Sequence, residues 1–208
     1  TSEMSQARYP HLLAPGRIGT MELRNRIVVM AMGVSLAEED GTVGDRALAY
    51  HEEQAKGGAG LIISGATGVA WPVAAVQKNQ LAISDDRFIP GLRRLAEAIH
   101  AHGAKFGVQL HQGGLVAAYS LRWGHPLWCP SLPHFDMNDE QITDAFVESE
   151  LQAAAAAPPL KFVFKEVTQE DIQLVVQQYA AAADRARRAG ADGVEIHAGH
   201  GYLLSSFI

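Results

Sequence analysis

The segment 197–203, His-Ala-Gly-His-Gly-Tyr-Leu, is the densest group of side chains that could do chemistry. Its two glycines allow a sharp turn that brings His200 and Tyr202 to the same pocket as His197. Two imidazole N–H donors aimed at one oxygen would stabilise negative charge developing there, and each is typically worth ~3 kcal/mol. A nearby tyrosine hydroxyl could supply a proton as a general acid. The segment therefore predicts a catalytic site at His197, His200 and Tyr202.

Other interpretations of these residues stay open. The spacing His-x-x-His also occurs in metal sites, although the only carboxylate near the motif is Glu195, which points to the opposite strand face from its neighbours. The two histidines could also form a purely structural pair. Gln109 is a further candidate, because its amide offers a donor and an acceptor that suit the edge of a heterocycle such as a flavin ring. It could instead be a satisfied amide of the core.

These residues are placed by a unit that repeats three times along the chain. Each copy is an amphipathic helical stretch, a glycine that ends the helix, and a short apolar strand. A further strand is predicted ahead of the first copy, at 27–32. The predicted helices cover residues 45–56, 87–101 and 169–189, and the predicted strands cover residues 60–64, 105–110 and 193–197.

Such alternation is typical of parallel β/α folds, which include doubly wound sheets and TIM barrels. No Gly-x-Gly-x-x-Gly opens a helix after the first strand, so the pattern favours the TIM (β/α)8 barrel. A complete barrel has eight strands and about 250 residues. The chain of 208 residues offers only about the first four β/α units. We therefore predict the N-terminal part of a barrel over residues 1–208, with a long loop insertion at 111–168.

In parallel β/α folds the working residues follow the carboxyl ends of the strands. Met32 and Gly33 follow the first strand, and Ala66 follows the second. Small residues there permit close approach of a ligand to the backbone, so a flat ligand could lie against this edge. Hydrogen-bonding groups, among them Gln109, follow the third and fourth strands.

Composition and charge exclude several classes of protein. Hydrophobic residues make up 48% of the chain and charged residues 19%, as in an ordinary globular domain. The formal net charge is −6, so no nucleic-acid partner is expected. No run approaches the ~20 apolar residues that span a bilayer, so no membrane role is expected. A single cysteine and a start without a signal-peptide pattern predict a cytoplasmic location.

Five segments of the chain resemble the old yellow enzyme family of flavin-dependent ene reductases. The similarity is greatest to its branch of bacterial dienoyl-CoA reductases and NADH:flavin oxidoreductases. This resemblance implies a TIM barrel that holds FMN, which NADH or NADPH reduces. It also implies hydride transfer from the flavin to an α,β-unsaturated carbonyl compound. Apolar residues near the predicted site, such as Val34, Leu36 and Trp71, favour a hydrophobic enone or enoyl thioester as this compound. The matching segments are 23–34, 50–68, 105–111, 128–133 and 190–207.

The same resemblance assigns roles to individual residues. His197 and His200 should hold the carbonyl oxygen of the substrate, and Tyr202 should deliver a proton to its α-carbon. Five further positions should border the flavin, namely Ala31, Met32, Gly33, Ala66 and Gln109.

The chain also departs from the family pattern. Gly33 stands where many members have Thr or Cys, and Ala31 stands where they have Pro. The family motif Gln-Leu-x-His-x-Gly-Arg is read here as one residue shorter before His111, and its Arg is missing. The family's remaining strands, with the flavin phosphate site, would follow Ile208.

We therefore expect the isolated polypeptide not to be a competent ene reductase. A missing C-terminal half or a second chain would complete the barrel. Two alternatives stay open: a non-catalytic half-barrel that binds a partner or has lost its flavin, and a metal-dependent barrel hydrolase with its metal on His197 and His200.

Overall fold

The computed structural model describes residues 8–73, 75–132 and 163–208. The acidic and alanine-rich run at 137–159, for which the sequence allows a short helix, lies outside these described residues.

A parallel sheet forms the centre of the molecule, and its main strands lie side by side in chain order. Strand β3 (Val28–Val29) pairs with β4 (Leu61–Ile63), β4 with β7 (Lys105–His111), and β7 with β10 (Gly193–Ile196). This is the order of a singly wound barrel, without the reversal of strand order that marks a doubly wound sheet. The predicted alternation of strands and helices is therefore confirmed.

Three helices connect these strands and cover one face of the sheet: α2 (Asp45–Lys56), α3 (Ile89–Ala101) and α4 (Gln169–Arg188). A shorter helix, α1, precedes them (Pro10–Leu13). Helix α3 begins later than predicted, because Asp86–Phe88 forms a 3-10 turn and Pro90 takes up the first turn of the helix. Helix α4 begins with a capping box between Thr168 and Asp171. Within the described ranges, we find no helix with the length and hydropathy of a membrane span.

The core lies between the helices and the sheet. Its largest fully buried side chains come from both layers, and among them are Ile62, Leu92, Leu95, Ile99, Phe106 and Leu110. The helical stripe that the sequence predicts in α3, at Leu92, Leu95, Ala96 and Ile99, is buried as expected.

A bulge interrupts the second barrel strand. The chain leaves β4 at Ile63 and returns to the sheet as β5 (Thr67–Gly68), which pairs with the far end of β7 and with β6 (Leu81–Ala82). Between them, Ser64 Oγ accepts a hydrogen bond from the Gln109 backbone N–H at 3.2 Å, in place of a ladder bond. The predicted strand 60–64 therefore ends early, and the bulge places Ala66 at the carboxyl edge of the sheet.

The two outer strands of this sheet are unevenly covered. Val108 and Leu110 of β7 are buried, whereas their register partners Val194 and Ile196 on β10 are 42% and 57% exposed. On the other side, Met30 and Met32 follow β3 with 60% and 63% exposure. Strand β3 is also shorter than the predicted 27–32, because only Val28–Val29 finds ladder partners on β4.

The predicted insertion contains regular structure in its described parts. Two 3-10 helices (Gly114–Val116 and Ala118–Trp123) follow β7. Strand β8 (Leu127–Cys129) then pairs in parallel with β9 (Phe164–Glu166) just before α4. Sequence periodicity did not reveal this small ribbon.

An antiparallel hairpin of β1 (Gly16–Ile18) and β2 (Met21–Leu23) precedes β3. Directly after it, Arg24 donates hydrogen bonds to the carbonyls of Ala55, Ala59 and His102. The Arg24 guanidinium thus ties together the C-terminal ends of α2 and α3, at the end of the sheet opposite the predicted site.

Candidate active site

The chain from His197 to Leu203 folds into a tight turn after β10. The Tyr202 backbone N–H donates to the Gly199 carbonyl at 3.2 Å, and the Ser205 hydroxyl donates to the same carbonyl at 3.0 Å. His200 has a φ of +59°, in the left-handed region that few side chains occupy. Because glycine would fit this position without strain, a histidine there indicates that its side chain is used.

The turn brings the three predicted catalytic rings together. The ring centroids of His197 and Tyr202 lie 4.7 Å apart, those of His197 and His200 lie 5.1 Å apart, and those of His200 and Tyr202 lie 6.3 Å apart. His197 and Tyr202 are half-buried, whereas His200 is exposed. The predicted grouping of these side chains is therefore present in the structure, while their roles stay predictions.

Hydrogen bonds define the tautomers of the two histidines. The Gly199 backbone N–H donates to His197 Nδ1 at 3.3 Å, so His197 carries its proton on Nε2. His197 Nε2 in turn lies 3.3 Å from His200 Nδ1 and donates to it. The proton of His200 is then on Nε2, which is the free donor of the pair. One ligand oxygen could accept from both imidazoles only after the contact between His197 and His200 opens.

The surroundings of His197 favour its neutral form. Burial lowers the pKa of His197, the neighbouring His200 lowers it further, and Glu195 opposes them. A neutral imidazole donates a hydrogen bond without adding a fixed positive charge, which suits an oxygen that becomes negative only during reaction.

A third histidine, His111, lies beneath this turn at the end of β7. Its ring centroid is 4.4 Å from that of Tyr202 and 5.4 Å from that of His197, in edge-to-face contacts. The side chain is fully buried, and burial together with the neighbouring His197 lowers the pKa of His111 to about 3. The sequence left this residue as an unmatched position, so its place in the ring cluster is a finding of the structure.

The end of β7 also anchors the turn through backbone contacts. Gln112 accepts from the Leu203 backbone N–H at 3.2 Å, and its side-chain Oε1 accepts from the Gly114 N–H at 2.5 Å. Gly114 has a φ of +57°, and a β-carbon there would lie 2.7 Å from the Leu203 nitrogen. Only glycine allows the backbone at 114 to come this close to the backbone of Leu203.

The predicted flavin-bordering residues form a second group, at the carboxyl ends of β3 and β4. Met32, Gly33 and Ala66 line one shallow cleft, with the Gln77 amide beside Gly33. The next residue of the strand-end segment, Ala31, lies at the same edge and is half-buried. Met32 and Gly33 are exposed at this edge, and the lining of the cleft also includes the polar residues Asn79 and Gln80.

Gln109, the last of the predicted flavin-bordering residues, is held by a partner on β10. Its Nε2 donates to Glu195 Oε1 at 2.7 Å, and the two residues are register partners in the sheet. Because the donor end of the amide is engaged, its carbonyl oxygen is left as the group that can accept from a ligand. Glu195 therefore lies on the same face as Gln109, and sequence analysis missed it as a functional neighbour.

The residues at this edge fit a flavin ring. Gly33 and Ala66 are small and not fully buried, so a flat heterocycle could lie over the edge, and the Gln109 carbonyl could accept an N–H at its rim. Among the residues that the structure describes, no group of three or more His, Cys, Asp or Glu side chains is arranged to hold a metal ion.

Comparison with known proteins identifies relatives of the whole described chain. The model of the NADH:flavin oxidoreductase / NADH oxidase family matches residues 11–208. An NADH oxidase of Thermoanaerobacter brockii is 35% identical over 204 residues, which cover 96% of this chain and 27% of the oxidase. A metal reductase of Desulforamulus reducens is 40% identical over 197 residues, which cover 95% of this chain and 26% of the reductase.

Solved structures also resemble this chain in fold. The crystal structure of Old Yellow Enzyme from Pichia sp. AKU4542 matches with a TM-score of 0.78 at 29% identity, covering 95% of this chain and 48% of that one. The chain therefore spans about a quarter of the length of the two curated relatives and about half of that enzyme. The predicted fold, a TIM barrel represented by its first four β/α units, is confirmed.

Proposed function

Since the chain belongs to the NADH:flavin oxidoreductase / NADH oxidase family, we propose that it carries the substrate-binding half of an FMN-dependent ene reductase site. The cofactors of this family are FMN and NADH or NADPH, as the resemblance implied. When bound, FMN reduced by the pyridine nucleotide supplies the hydride for the β-carbon of an α,β-unsaturated carbonyl compound.

The observation that carries this proposal is the ring cluster at His197, His200 and Tyr202. His200 Nε2 has no hydrogen-bond partner among the described residues, and it can donate to a carbonyl oxygen at the carboxyl edge of the sheet. His197 Nε2 can join it once the contact between the two rings opens. Both donors then stabilise the negative charge that develops on this oxygen, and Tyr202 places a phenol beside them to protonate the α-carbon.

The cofactor would lie against the neighbouring edge. Met32, Gly33 and Ala66 would face the ring, Ala31 would lie along the same border, and Gln109 would accept a hydrogen bond from its rim. Glu195 keeps the Gln109 amide in the required orientation, since its carboxylate accepts only from the donor end.

A complete site requires more strands than the described sheet has. The apolar side chains of Val194 and Ile196 on β10 are exposed where their partners on β7 are covered by helices. On the other side, β3 presents an edge after only two register pairs. We infer that further β/α units, from a C-terminal half of the same protein or from a second chain, pair with both edges.

The test is an NMR titration of the ¹⁵N-labelled chain with FMN and, separately, with 2-cyclohexenone. We expect FMN to shift the backbone signals of Gly33, Ala66 and Gln109, and the enone to shift the imidazole signals of His197 and His200. Turnover of NADH or NADPH with the enone should be slight for the isolated chain. Full activity of the monomer would contradict the need for further strands.

A folded chain with no shift at these residues at millimolar FMN would contradict the proposal and favour the alternative of a half-barrel without flavin. The Tyr202→Phe variant tests the proton donor once turnover can be measured. We expect it to keep the enone-induced shifts at both histidines and to lose most of the turnover, because only the acidic proton is removed.

A further inference from the structure

Gln80 and His111 form a buried pair that the proposed reaction does not use directly. Gln80 Oε1 accepts from the Val76 backbone N–H at 2.9 Å, which fixes the orientation of the amide. Gln80 Nε2 therefore faces His111 Nδ1, at 3.4 Å, as a donor. His111 must then accept at Nδ1 and carry its own proton on Nε2.

This proton has no ordinary partner. His111 Nε2 is buried and makes no hydrogen bond with any residue in the described part of the chain. An unpaired buried donor is destabilising, and most such groups in native proteins find a partner. Instead, the His111 ring makes edge-to-face contacts with the rings of Tyr202 and His197, which also contact each other.

Packing alone does not require this arrangement. A phenylalanine or leucine would fill the same space without burying an imidazole, and it would need no glutamine behind it. The site instead places a buried amide, a buried imidazole and two partly buried rings in series, from Gln80 through His111 to Tyr202 and His197. Such a series resembles the outer groups that orient a metal ligand or a catalytic imidazole in other sites.

We propose that Gln80 and His111 are positioning residues of the ring cluster: Gln80 fixes the His111 tautomer, and His111 directs its Nε2–H edge at Tyr202 and His197 and holds both rings in place. An N–H directed at an aromatic face is a weak attraction, but it has a defined direction. The part of this inference that concerns substrate rests on the proposed function, whereas the tautomer and the ring positions do not.

The first experiment determines the tautomer from the imidazole ¹⁵N signals of the full chain at pH 7. We expect His111 to show a protonated Nε2 and an unprotonated Nδ1. In Gln80→Glu the side chain can only accept from His111, so the proton should move to Nδ1. The matched control Gln177→Glu makes the same chemical change at an exposed position of α4 and should leave the His111 signals unchanged. A protonated Nδ1 in the unaltered chain would overturn the proposal.

The second experiment separates the N–H from the shape of the ring. His111→Phe keeps an aromatic ring at this position but removes the donor. We expect the Tyr202 ring signals and the His197 imidazole signals to shift in this variant, and 2-cyclohexenone to bind five- to tenfold more weakly. Gln80→Glu should change the same signals in a chain that retains His111, so the result does not depend on one substitution.

Unchanged Tyr202 and His197 signals in both variants would show that His111 only fills space, and the proposal would fail. If the unaltered chain binds no enone at all, the proposed function fails instead. The tautomer and the ring signals still decide whether Gln80 and His111 position the cluster.

Discussion

Replacing Gly65 by alanine would place a β-carbon against the backbone of Met32 and Gly33. This β-carbon would overlap the Met32 carbonyl oxygen, and it would lie 2.9 Å from the Met32 carbonyl carbon and 3.4 Å from the Gly33 α-carbon. These atoms belong to main chain, so no side chain can rotate away. The segment at 32–33 must move outward, and it is held to the sheet by a strand with only two register pairs.

The cost of this change follows from three terms. Overpacking typically destabilises by about 1–3 kcal/mol. Loosening the edge strand forfeits hydrogen bonds worth about 1 kcal/mol each. Alanine has less conformational entropy than glycine in the unfolded chain, and this difference offsets about 0.4–1 kcal/mol of the loss. We therefore expect Gly65→Ala to lower the free energy of unfolding by about 2–4 kcal/mol, with Gly65 acting through backbone contact alone.

Urea unfolding followed by circular dichroism measures this loss. With a slope of about 2 kcal/mol per molar urea, the midpoint should fall by about 1–2 M. The matched control is Gly193→Ala in β10, where a β-carbon would meet no atom within 4 Å. Its midpoint should stay unchanged or rise slightly. Equal midpoints for the two variants would refute the argument that β3 and β4 approach too closely for a side chain.

Three further outcomes are expected. Burial opposes ionisation of Asp192, but hydrogen bonds from Lys105 and other donors outweigh it and leave the pKa of Asp192 below its ordinary value. The ionised carboxylate therefore stabilises the fold above the unfolded pKa of about 3.9, and this stabilisation is lost as pH falls through the folded pKa. The urea midpoints of the unaltered chain and of Asp192→Asn should converge below about pH 4. Thr168→Ala removes the cap of α4 and should destabilise by about 1 kcal/mol in thermal unfolding, and an unchanged melting temperature would contradict the capping geometry. Glu195→Leu frees the Gln109 amide to rotate and should weaken FMN binding about tenfold by NMR titration, whereas unchanged affinity would show that Glu195 does not orient it.

Periodicity in the sequence was sufficient for the repeating framework. The stripe Leu92, Leu95, Ala96 and Ile99 predicted the buried face of α3, and the glycines at 103 and 190 follow the ends of their helices with positive φ. The cluster at His197, His200 and Tyr202 could be predicted because its members lie close together in the sequence, within the segment 197–203, so that a single turn brings them together.

Contacts between distant segments could not be predicted in this way. Glu195 meets Gln109 only because β10 pairs with β7 in a particular register, and no local pattern states that register. Gln80 lies in a stretch without helical or strand periodicity, so nothing marked its amide as the partner of His111. The ribbon of β8 and β9 was missed because each strand is only three residues long and its partner lies across the insertion.

The order of strands in the sheet also governs when the site can form during synthesis. Strands β3, β4 and β7 emerge one after another, and each finds the previous edge ready to pair. The last pairing, Glu195 with Gln109, must close a loop of 86 residues. Since loop closure becomes slower and less favourable with length, we expect β10 to join the described sheet only after β3, β4 and β7 have paired. A nascent chain would therefore have a folded scaffold before the residues of the candidate site come together.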